Sequence, residues 1–383
     1  MKRKVVFVQP TLAPYAKTRF EELAKDKDLD IYLLFEHETL EHRKGWKVTE
    51  VEGCKTIIIG GYNKKRKIYK PDLNCHIEGI RGIPYTLSKH LLTINPNIVV
   101  VCNATQLFFV NIVKPFLNFK TGIVVEDTIH ANKGRSNFNK MLKSTALKFV
   151  DFYLPYSNDA VDFLNYNRIY KNIFRTSWSM KLELFDINDS KNNSVKLISA
   201  DLKSKDKIIF ICVTQLIPRK GMKNLFQAWN LLENKIKSNI ELIVLGDGPQ
   251  KEELLNIIKH NNIDNIHLLG NKEYQEVTIY LKEADVFILP TLEDLFSLVV
   301  MEAMSSSLPV LTSTNNGARE LIYEGENGYV FDAEDISNIK LAIEKIYADR
   351  FRLKQMGKKS YEIISEYSNE KVMSKLAKIL KEI

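Results

Sequence analysis

The stretch that decides the fold is LPTLEDLFSLVVMEAMSSSLPV, residues 289–310. An apolar strand ends near Pro290, a short acidic loop follows, and a helix begins around Ser297. The first N–H groups of a helix have no helical partners and carry partial positive charge, so this order is typical of phosphate binding. Asp294 precedes the helix and Glu302 lies inside it. Glu302 could accept hydrogen bonds from a ribose diol, and spacing alone equally allows a solvent-facing side chain.

Strands and helices alternate on both sides of this stretch. In the second half, strands are predicted at residues 208–213, 240–245, 265–269, 286–289, 310–312 and 328–330, and helices at 223–232, 251–260 and 273–283. In the first half, strands are predicted at residues 4–9, 31–35, 56–59, 98–102 and 122–126, and helices at 18–25, 84–93 and 137–150. Such alternation needs crossover connections, which predicts a mostly parallel sheet in each half.

A polar, low-complexity segment at residues 186–194 separates the two halves and is predicted to be a linker. We therefore expect a first domain of residues 1–185 and a second of residues 186–365, in agreement with the length of 383 residues. The tail, residues 366–383, contains an amphipathic helix that we expect to pack back on the first domain. A plain helix of the second domain is the alternative.

The composition is that of a soluble globular protein, with 45% apolar and 27% charged residues. No apolar run approaches the ~20 residues of a membrane span. The four cysteines are too far apart in the sequence to suggest a metal site or a redox pair. We therefore expect a cytoplasmic protein, with peripheral attachment to the inner face of the cell membrane as a further possibility.

Positive charge is concentrated in the first half. Residues 51–150 carry 15 Lys and Arg against 5 Asp and Glu, although the whole chain has a net charge of only +8. Two basic stretches, at residues 63–67 and 133–148, allow a solvated face, an anionic membrane surface or a phosphate-bearing acceptor. Nucleic acid is not expected as a partner, because no nucleic-acid-binding motif accompanies the charge.

The stretch at 289–310 resembles the signature of retaining, nucleotide-sugar-dependent glycosyltransferases of the GT-B fold, glycosyltransferase family four (glycosyl transferases group 1). The family pattern is an acidic residue, seven residues and a glutamate, with Phe-Gly-Leu-Val between them. The matching positions are Asp294, Phe296, Ser297, Leu298, Val299 and Glu302. Asp294 stands where the family usually has glutamate, and Ser297 where it has glycine, so the sugar specificity stays open.

Further segments resemble the family in the same order. Residues 215–229 correspond to the loop that supplies cations to the donor diphosphate. Lys220 matches the family's lysine, while Gln215 replaces its usual arginine and Arg219 is the candidate substitute. Gly270 lies in the loop whose backbone meets the nucleotide base in the family.

The first half resembles the family less sharply. Glu126 ends a predicted strand where the family often places a histidine that supports the donor sugar, and His130 follows four residues later. Glu126 is therefore a candidate active-site residue. For His130, an active-site role and an exposed loop position are both open.

The resemblance implies an α/β protein of the GT-B fold, with two Rossmann-like doubly wound domains facing across a cleft. It implies that the first domain binds the acceptor and the second the donor. The catalytic candidates are Asp294, Glu302, Lys220 and Glu126, and the donor-binding candidates are Arg219, Lys220, Gln215, Gly270, Phe296, Ser297, Leu298 and Glu302. Glu302 would hold the ribose, Lys220 and Arg219 the diphosphate, and Asp294 the sugar hydroxyls. Neither a metal nor a cofactor is implied, because the nucleotide sugar, a UDP- or GDP-sugar, is the substrate.

The predicted function is a hexosyltransferase-type glycosyltransferase that acts with retention of configuration. Its acceptor would be a hydroxyl of a surface glycan, for example a lipid-linked one. A non-catalytic subunit that binds sugar nucleotides or glycans is one alternative, and an NDP-sugar epimerase on a similar fold is another.

Overall fold

The computed structural model describes residues 2–39, 46–70, 75–132, 136–185 and 207–383. These residues form two compact units, one of Met1–Lys181 with Tyr367–Ile383 and one of Leu182–Glu366. The predicted linker at residues 186–194 lies outside the described residues, as do Lys133 and Arg135. Among the described helices, none combines the length and the apolar character that a membrane crossing requires.

The first unit is built on a six-stranded parallel sheet. Its strands and those of an attached hairpin are β1 (Arg3–Gln9), β2 (Leu29–Phe35), β3 (Lys55–Ile58), β4 (Tyr62–Lys70), β5 (Cys75–Ile83), β6 (Ile98–Val101), β7 (Lys120–Val125) and β8 (Phe152–Pro155). The sheet order is β3-β2-β1-β6-β7-β8, and all of its neighbouring strands are parallel. Val5 in the central strand β1 pairs with Ile31 on one side and Ile98 on the other. All three are buried, as expected for a sheet covered on both faces.

The basic stretch at residues 63–67 lies in strand β4, a segment for which no strand was predicted. β4 pairs antiparallel with β5, so that Lys65 lies opposite Ile80. The run of lysines and arginine hides the alternation by which strands are recognised, and the partner strand supplies the ladder hydrogen bonds.

Among the described residues up to 185, five helices cover the first sheet. They are α1 (Pro14–Leu23), α2 (Leu87–Ile94), α3 (Ala104–Val113), α4 (Asn137–Leu147) and α5 (Asn158–Tyr166). Helices α2, α3 and α4 pack side by side and bury apolar side chains, including Leu91, Leu107 and Leu147, in one core cluster. A second cluster, which contains Leu23 of α1 and Phe35 of β2, forms a separate core.

The second unit repeats the same plan. Its strands are β9 (Ile208–Val213), β10 (Ile240–Leu245), β11 (Ile266–Leu268), β12 (Val286–Leu289), β13 (Val310–Ser313) and β14 (Gly328–Phe331). The parallel order is β11-β10-β9-β12-β13-β14, which is the Rossmann order 3-2-1-4-5-6. The helices are α6 (Met222–Asn230), α7 (Asn234–Lys237), α8 (Lys251–His260), α9 (Tyr274–Glu283), α10 (Leu298–Ser305), α11 (Ile336–Ala348) and α12 (Leu353–Ile364).

The chain then returns to the first unit with helix α13 (Asn369–Glu382). One side of α13 buries Val372, Leu376 and Leu380 in the same cluster as Leu23 and Phe35. Helix α13 packs against α1, and Arg3 donates hydrogen bonds to the carbonyl oxygens of Leu380 (2.9 Å) and Lys381 (2.6 Å).

The observed division differs from the predicted boundary at residue 185. The turn Leu182–Phe185 belongs to the second unit, not the first. Phe185 is buried and packs edge-on against Tyr274 of α9, with ring centroids 6.3 Å apart. This apolar contact holds the turn on the second unit.

Candidate functional site

The first candidate site lies where β9 and β12 are neighbours at the centre of the second sheet. Strand β10 lies on the other side of β9, so the connections leave β9 and β12 in opposite directions. In doubly wound sheets, ligands bind beyond the carboxyl ends of the strands at such a switch point. The segments that follow β9 and β12 contain Lys220 and Asp294, respectively.

Lys220 and Asp294 form an ion pair at this point, with side chains only 11% and 17% exposed. The turn Pro218–Lys220 follows β9 and ends at Gly221, whose φ is +68°. A Cβ atom at position 221 would overlap the carbonyl oxygen of Pro290. Glycine therefore lets the two loops approach closely, and their approach brings the lysine to the carboxylate.

The charges of this pair depend on each other. Burial raises the pKa of Asp294, but the Lys220 ammonium, together with Ser297 and Arg219, outweighs burial, so the net effect is a lowered pKa. Burial lowers the pKa of Lys220, and Asp294 opposes that effect. The arrangement therefore keeps an ionised carboxylate beside a partly desolvated cation, in a place where water competes little with a ligand.

Asn316 organises the loop around Asp294. It is fully buried, and its Oδ1 accepts hydrogen bonds from the backbone N–H groups of Ser297 (3.2 Å) and Ala318 (3.1 Å). Its Nδ2 donates to Thr312 Oγ1 at 2.9 Å. Sequence reasoning missed this role. The available signal was an asparagine just before a helical turn, the usual capping position.

Glu302 lies in α10 and is half-buried, which contradicts the solvent-facing alternative. Burial raises its pKa to about 7, and a hydrogen bond with Tyr274 works in the opposite direction. Tyr274 is the first residue of α9, and its hydrogen bond with Glu302, like the role of Asn316, was not predicted from the sequence. It joins α10 to α9, two helices that pack against each other.

Of the remaining donor-site candidates, Arg219 and Gln215 lie in the segment after β9, and Gly270 lies in the segment after β11. Arg219 donates from Nη1 to the carbonyl oxygen of Glu293 at 3.1 Å, which ties the two loops together a second time. Gly270 has a φ of +70° and open space where a Cβ would be. The carbonyl oxygen of Gly270 accepts a hydrogen bond from Gly246 N–H (2.8 Å). Gln215 lies two residues after the end of β9, and its side chain is exposed.

Phe296, Ser297 and Leu298 form the entry to α10. Phe296 and Ser297 are buried, and Leu298 is half-buried. The N–H of Phe296 donates to Asp294 Oδ1 at 3.3 Å. The predicted strand–loop–helix therefore begins its helix at Leu298, one residue after the predicted start.

A second group of polar and aromatic side chains lies in the first unit. Glu126 directly follows β7, and burial, together with the neighbouring Asp127, raises its pKa to about 7, while Arg19 lowers it. Arg19 is buried, and its guanidinium carbon lies 5.2 Å from the ring centroids of both Tyr156 and Trp178.

Two more aromatic residues extend this group. Tyr15 packs edge-on against Trp46 (5.8 Å) and Trp178 (5.5 Å). We call Tyr15, Trp46, Tyr156 and Trp178 the aromatic cluster. His130 is half-buried in the turn His130–Asn132.

Residues 195–363 match the family model described as "Glycosyl transferases group 1". The uncharacterized glycosyltransferase MJ1178 of Methanocaldococcus jannaschii is 25% identical over 171 residues, and the alignment covers 45% of this chain and 47% of that protein. The Campylobacter jejuni N-acetylgalactosamine-N,N'-diacetylbacillosaminyl-diphospho-undecaprenol 4-alpha-N-acetylgalactosaminyltransferase is 28% identical over 222 residues, covering 57% and 56%. The chain thus spans about half the length of the curated relatives it matches.

Solved structures match over nearly the whole chain. Sucrose-phosphate synthase of Thermosynechococcus elongatus has a TM-score of 0.74 at 15% identity, covering 100% of this chain and 99% of that one. Anabaena Alr3699/HepE in complex with UDP has a TM-score of 0.75 at 14% identity, covering 100% of both. The chain has the GT-B fold. In the second unit of this GT-B fold, the ion pair Lys220–Asp294 lies at the switch point of the sheet.

Glu126 and Glu302, both half-buried, should make the stability of this GT-B protein depend on pH. The pKa values of Glu126 and Glu302 rise from 4.5 to about 7 in the folded state. Between pH 4.5 and pH 7, the folded state therefore binds more protons than the unfolded state. The free energy of unfolding should therefore fall as the pH rises from 4.5 to 7, by about 1–3 kcal/mol per group. Replacement of both by glutamine should remove this contribution.

Thermal unfolding of the wild-type protein and the Glu126→Gln/Glu302→Gln variant at pH 5, 6, 7 and 8 measures the effect. We expect the melting temperature of the variant minus that of the wild type to increase as the pH rises. A difference that stays constant over the whole range would contradict the raised pKa values.

Proposed function

We propose that the protein is a hexosyltransferase-type glycosyltransferase that moves a sugar from a nucleoside-diphosphate sugar to a hydroxyl group with retention of configuration. The observation that carries this proposal is the buried Lys220–Asp294 pair at the switch point of the second sheet. An enclosed cation at the carboxyl ends of parallel strands is suited to a diphosphate. The carboxylate beside it is suited to sugar hydroxyls.

Each donor group then has a counterpart in the second unit. The diphosphate lies at Lys220 and Arg219, whose positive charges balance the leaving group without a metal or another cofactor. The ribose diol donates to Glu302, which is ionised when the donor binds. The base, uracil or guanine, lies beside the loop of Gly270, where the position that a Cβ would take is open.

The acceptor lies at the first unit, beside Glu126 and the aromatic cluster. Pyranose rings pack their apolar faces on aromatic side chains. A carboxyl group accepts hydrogen bonds from hydroxyl groups when ionised and donates one to a hydroxyl oxygen when protonated. We infer a surface glycan as acceptor, lipid-linked and presented at the cytoplasmic face of the membrane. The Campylobacter relative is named for a diphospho-undecaprenol acceptor, which supports this class.

Product analysis tests the reaction class. The protein is incubated with UDP-glucose, UDP-galactose, UDP-N-acetylglucosamine or GDP-mannose and an extract of lipid-linked glycans, and products are identified by mass spectrometry and anomeric NMR. We expect one donor to yield free nucleoside diphosphate and an α-linked product. A new nucleotide sugar formed without acceptor would indicate an epimerase, and donor binding without turnover would indicate a binding subunit. Either outcome would overturn the proposal.

The aromatic cluster should determine acceptor affinity without affecting the donor. Trp178→Ala should raise the acceptor KM about tenfold, as expected for the loss of roughly 1.4 kcal/mol of ring packing. The donor Kd should stay within twofold of wild type. Tyr170→Ala, which removes an exposed ring outside the cluster, is the matched control. An unchanged acceptor KM in Trp178→Ala would remove the cluster from the acceptor site.

A further inference from the structure

Helix α3 exposes a ridge of large apolar side chains. Phe108, Ile112 and Phe116 follow one another at intervals of four along the helix and its final turn, and their exposed fractions are 64%, 47% and 77%. The opposite side of α3 buries Leu107 and Val110 in the core. The helix is therefore fixed by its inner side, and the apolar ridge on its outer side is exposed in the described part of the structure.

The two neighbouring helices widen this surface. Helices α2 and α4 flank α3 and also expose large apolar side chains. We call the combined surface the α2–α4 face, formed by Leu92, Phe108, Ile112, Phe116, Met141, Leu142 and Phe149. Soluble proteins rarely expose so many large apolar side chains on adjacent elements unless the surface binds something.

Lysines outnumber acidic residues around the face. Residues 84–120 and 136–150, which include α2, α3 and α4, contain six lysines and no aspartate or glutamate. Lys89, Lys120 and Lys148 are exposed. Lys114 pairs at 2.6 Å with Asp151, just beyond this region, and Lys143 pairs with Asp127.

We propose that the α2–α4 face docks on an anionic lipid surface, with the phenylalanines at the depth of the acyl-chain boundary and the lysines at the headgroups. The excess of lysines over acidic residues decides between occupants. Two copies that met through this face would oppose lysines to lysines, whereas anionic headgroups complement them. The face is separate from the donor site, so docking can be measured whether or not the proposed reaction is correct.

This surface differs from the one that sequence reasoning selected. The predicted basic stretches were residues 63–67 and 133–148, and α3 was not predicted at all. Helix α4 contributes Met141 and Leu142 from the second stretch, but the most exposed phenylalanine of the α2–α4 face, Phe116, follows α3. The side chains of residues 63–67 lie outside the described part of the structure.

Flotation with lipid vesicles tests the proposal. The full chain is mixed with vesicles of phosphatidylcholine alone or with 30% phosphatidylglycerol, and the bound fraction is measured at low and high salt. The wild-type protein should bind anionic vesicles at least about tenfold better than neutral ones, and high salt should weaken binding. Wild-type protein that fails to float with anionic vesicles overturns the proposal.

Two variants separate the apolar and electrostatic parts. Phe108→Ser/Ile112→Ser/Phe116→Ser should lose at least about 30-fold in vesicle affinity because it removes the inserted side chains. Lys89→Gln/Lys120→Gln/Lys148→Gln should lose about 100-fold, at about fivefold per lysine. All six positions are exposed, so both variants should unfold at the wild-type temperature and bind nucleoside diphosphates as the wild type does.

Matched controls lie on the second unit. Leu341→Ser/Phe351→Ser removes exposed apolar side chains, and Lys235→Gln/Lys354→Gln/Lys358→Gln removes exposed charges. Both controls should float like the wild type. Equal flotation of the wild type and Phe108→Ser/Ile112→Ser/Phe116→Ser, the α3 variant, would overturn the proposal. So would light scattering that shows a wild-type dimer which the α3 variant converts to a monomer.

Discussion

Lys220→Ala should lower kcat by about 10²–10³-fold, the cost of losing a preorganised charge that faces the charge developing on a leaving group. The effect should exceed the change in donor KM, because negative charge on the diphosphate grows as the glycosidic bond breaks. Steady-state rates with saturating acceptor measure both constants. A kcat within twofold of the wild-type value would contradict a role for Lys220 in turnover.

Lys223→Ala is the matched control for this variant. Lys223 lies three residues later, at the start of α6, where it pairs with Glu253 at 2.8 Å in an exposed position. Its loss removes the same charge and should leave kcat within twofold. Lys220→Ala also leaves Asp294 buried and unpaired, which can cost about 3–5 kcal/mol of stability. Lys220→Ala/Asp294→Asn removes that penalty, so it should recover thermal stability without recovering turnover.

Glu302→Gln should weaken donor binding by about 10–100-fold, since a hydrogen bond to a charged group contributes about 1.5–3 kcal/mol. The shape of the side chain is retained, so kcat should change less than the donor Kd. Calorimetric titration with donor and with the nucleoside diphosphate measures the loss, which should be similar for both because each carries the ribose. Glu326→Gln, at an exposed ion pair with Lys359, is the control.

Asp294 should be distinguishable in the same titrations. A side chain that contacts sugar hydroxyls affects the intact donor more than the bare nucleoside diphosphate, whereas one that contacts ribose affects both. If Glu302→Gln weakened only the intact donor, the assignment of Glu302 to the ribose would be wrong.

The second unit was the easier half to predict from the sequence. The bounds of β9, β10 and β12 agree with the predicted strands, because central parallel strands are buried on both faces and appear as continuous apolar runs. The predicted helix at residues 251–260 also has the observed bounds of α8. The two Rossmann-like sheets confirm the predicted fold class.

Other features could not be predicted because they depend on tertiary contacts. Helix α3 has the sequence ATQLFFVNIV, which is apolar on nearly every side and therefore lacks the helical periodicity of a surface helix. The hydrogen bonds from the Ser297 N–H to Asn316 and from Tyr274 to Glu302 join residues that are 19 and 28 positions apart. No local pattern identifies such partners, although the resemblance located the loops that contain them.

The aromatic cluster shows the same limit. Tyr15, Tyr156 and Trp178 come from distant parts of the first unit and meet only around the buried Arg19. Glu126 could be selected from the end of its strand, but its aromatic surroundings could not.

The central claim is that a nucleoside diphosphate sugar binds at the switch point of the second sheet. Calorimetric titration of the wild-type, Lys220→Ala and Lys223→Ala proteins with UDP-sugars and GDP-sugars tests it most directly. We expect at least one donor to bind the wild-type and Lys223→Ala proteins equally, and Lys220→Ala to bind it at least about tenfold more weakly. Equal binding by all three proteins, or no binding of any nucleotide sugar to the wild type, would contradict the claim.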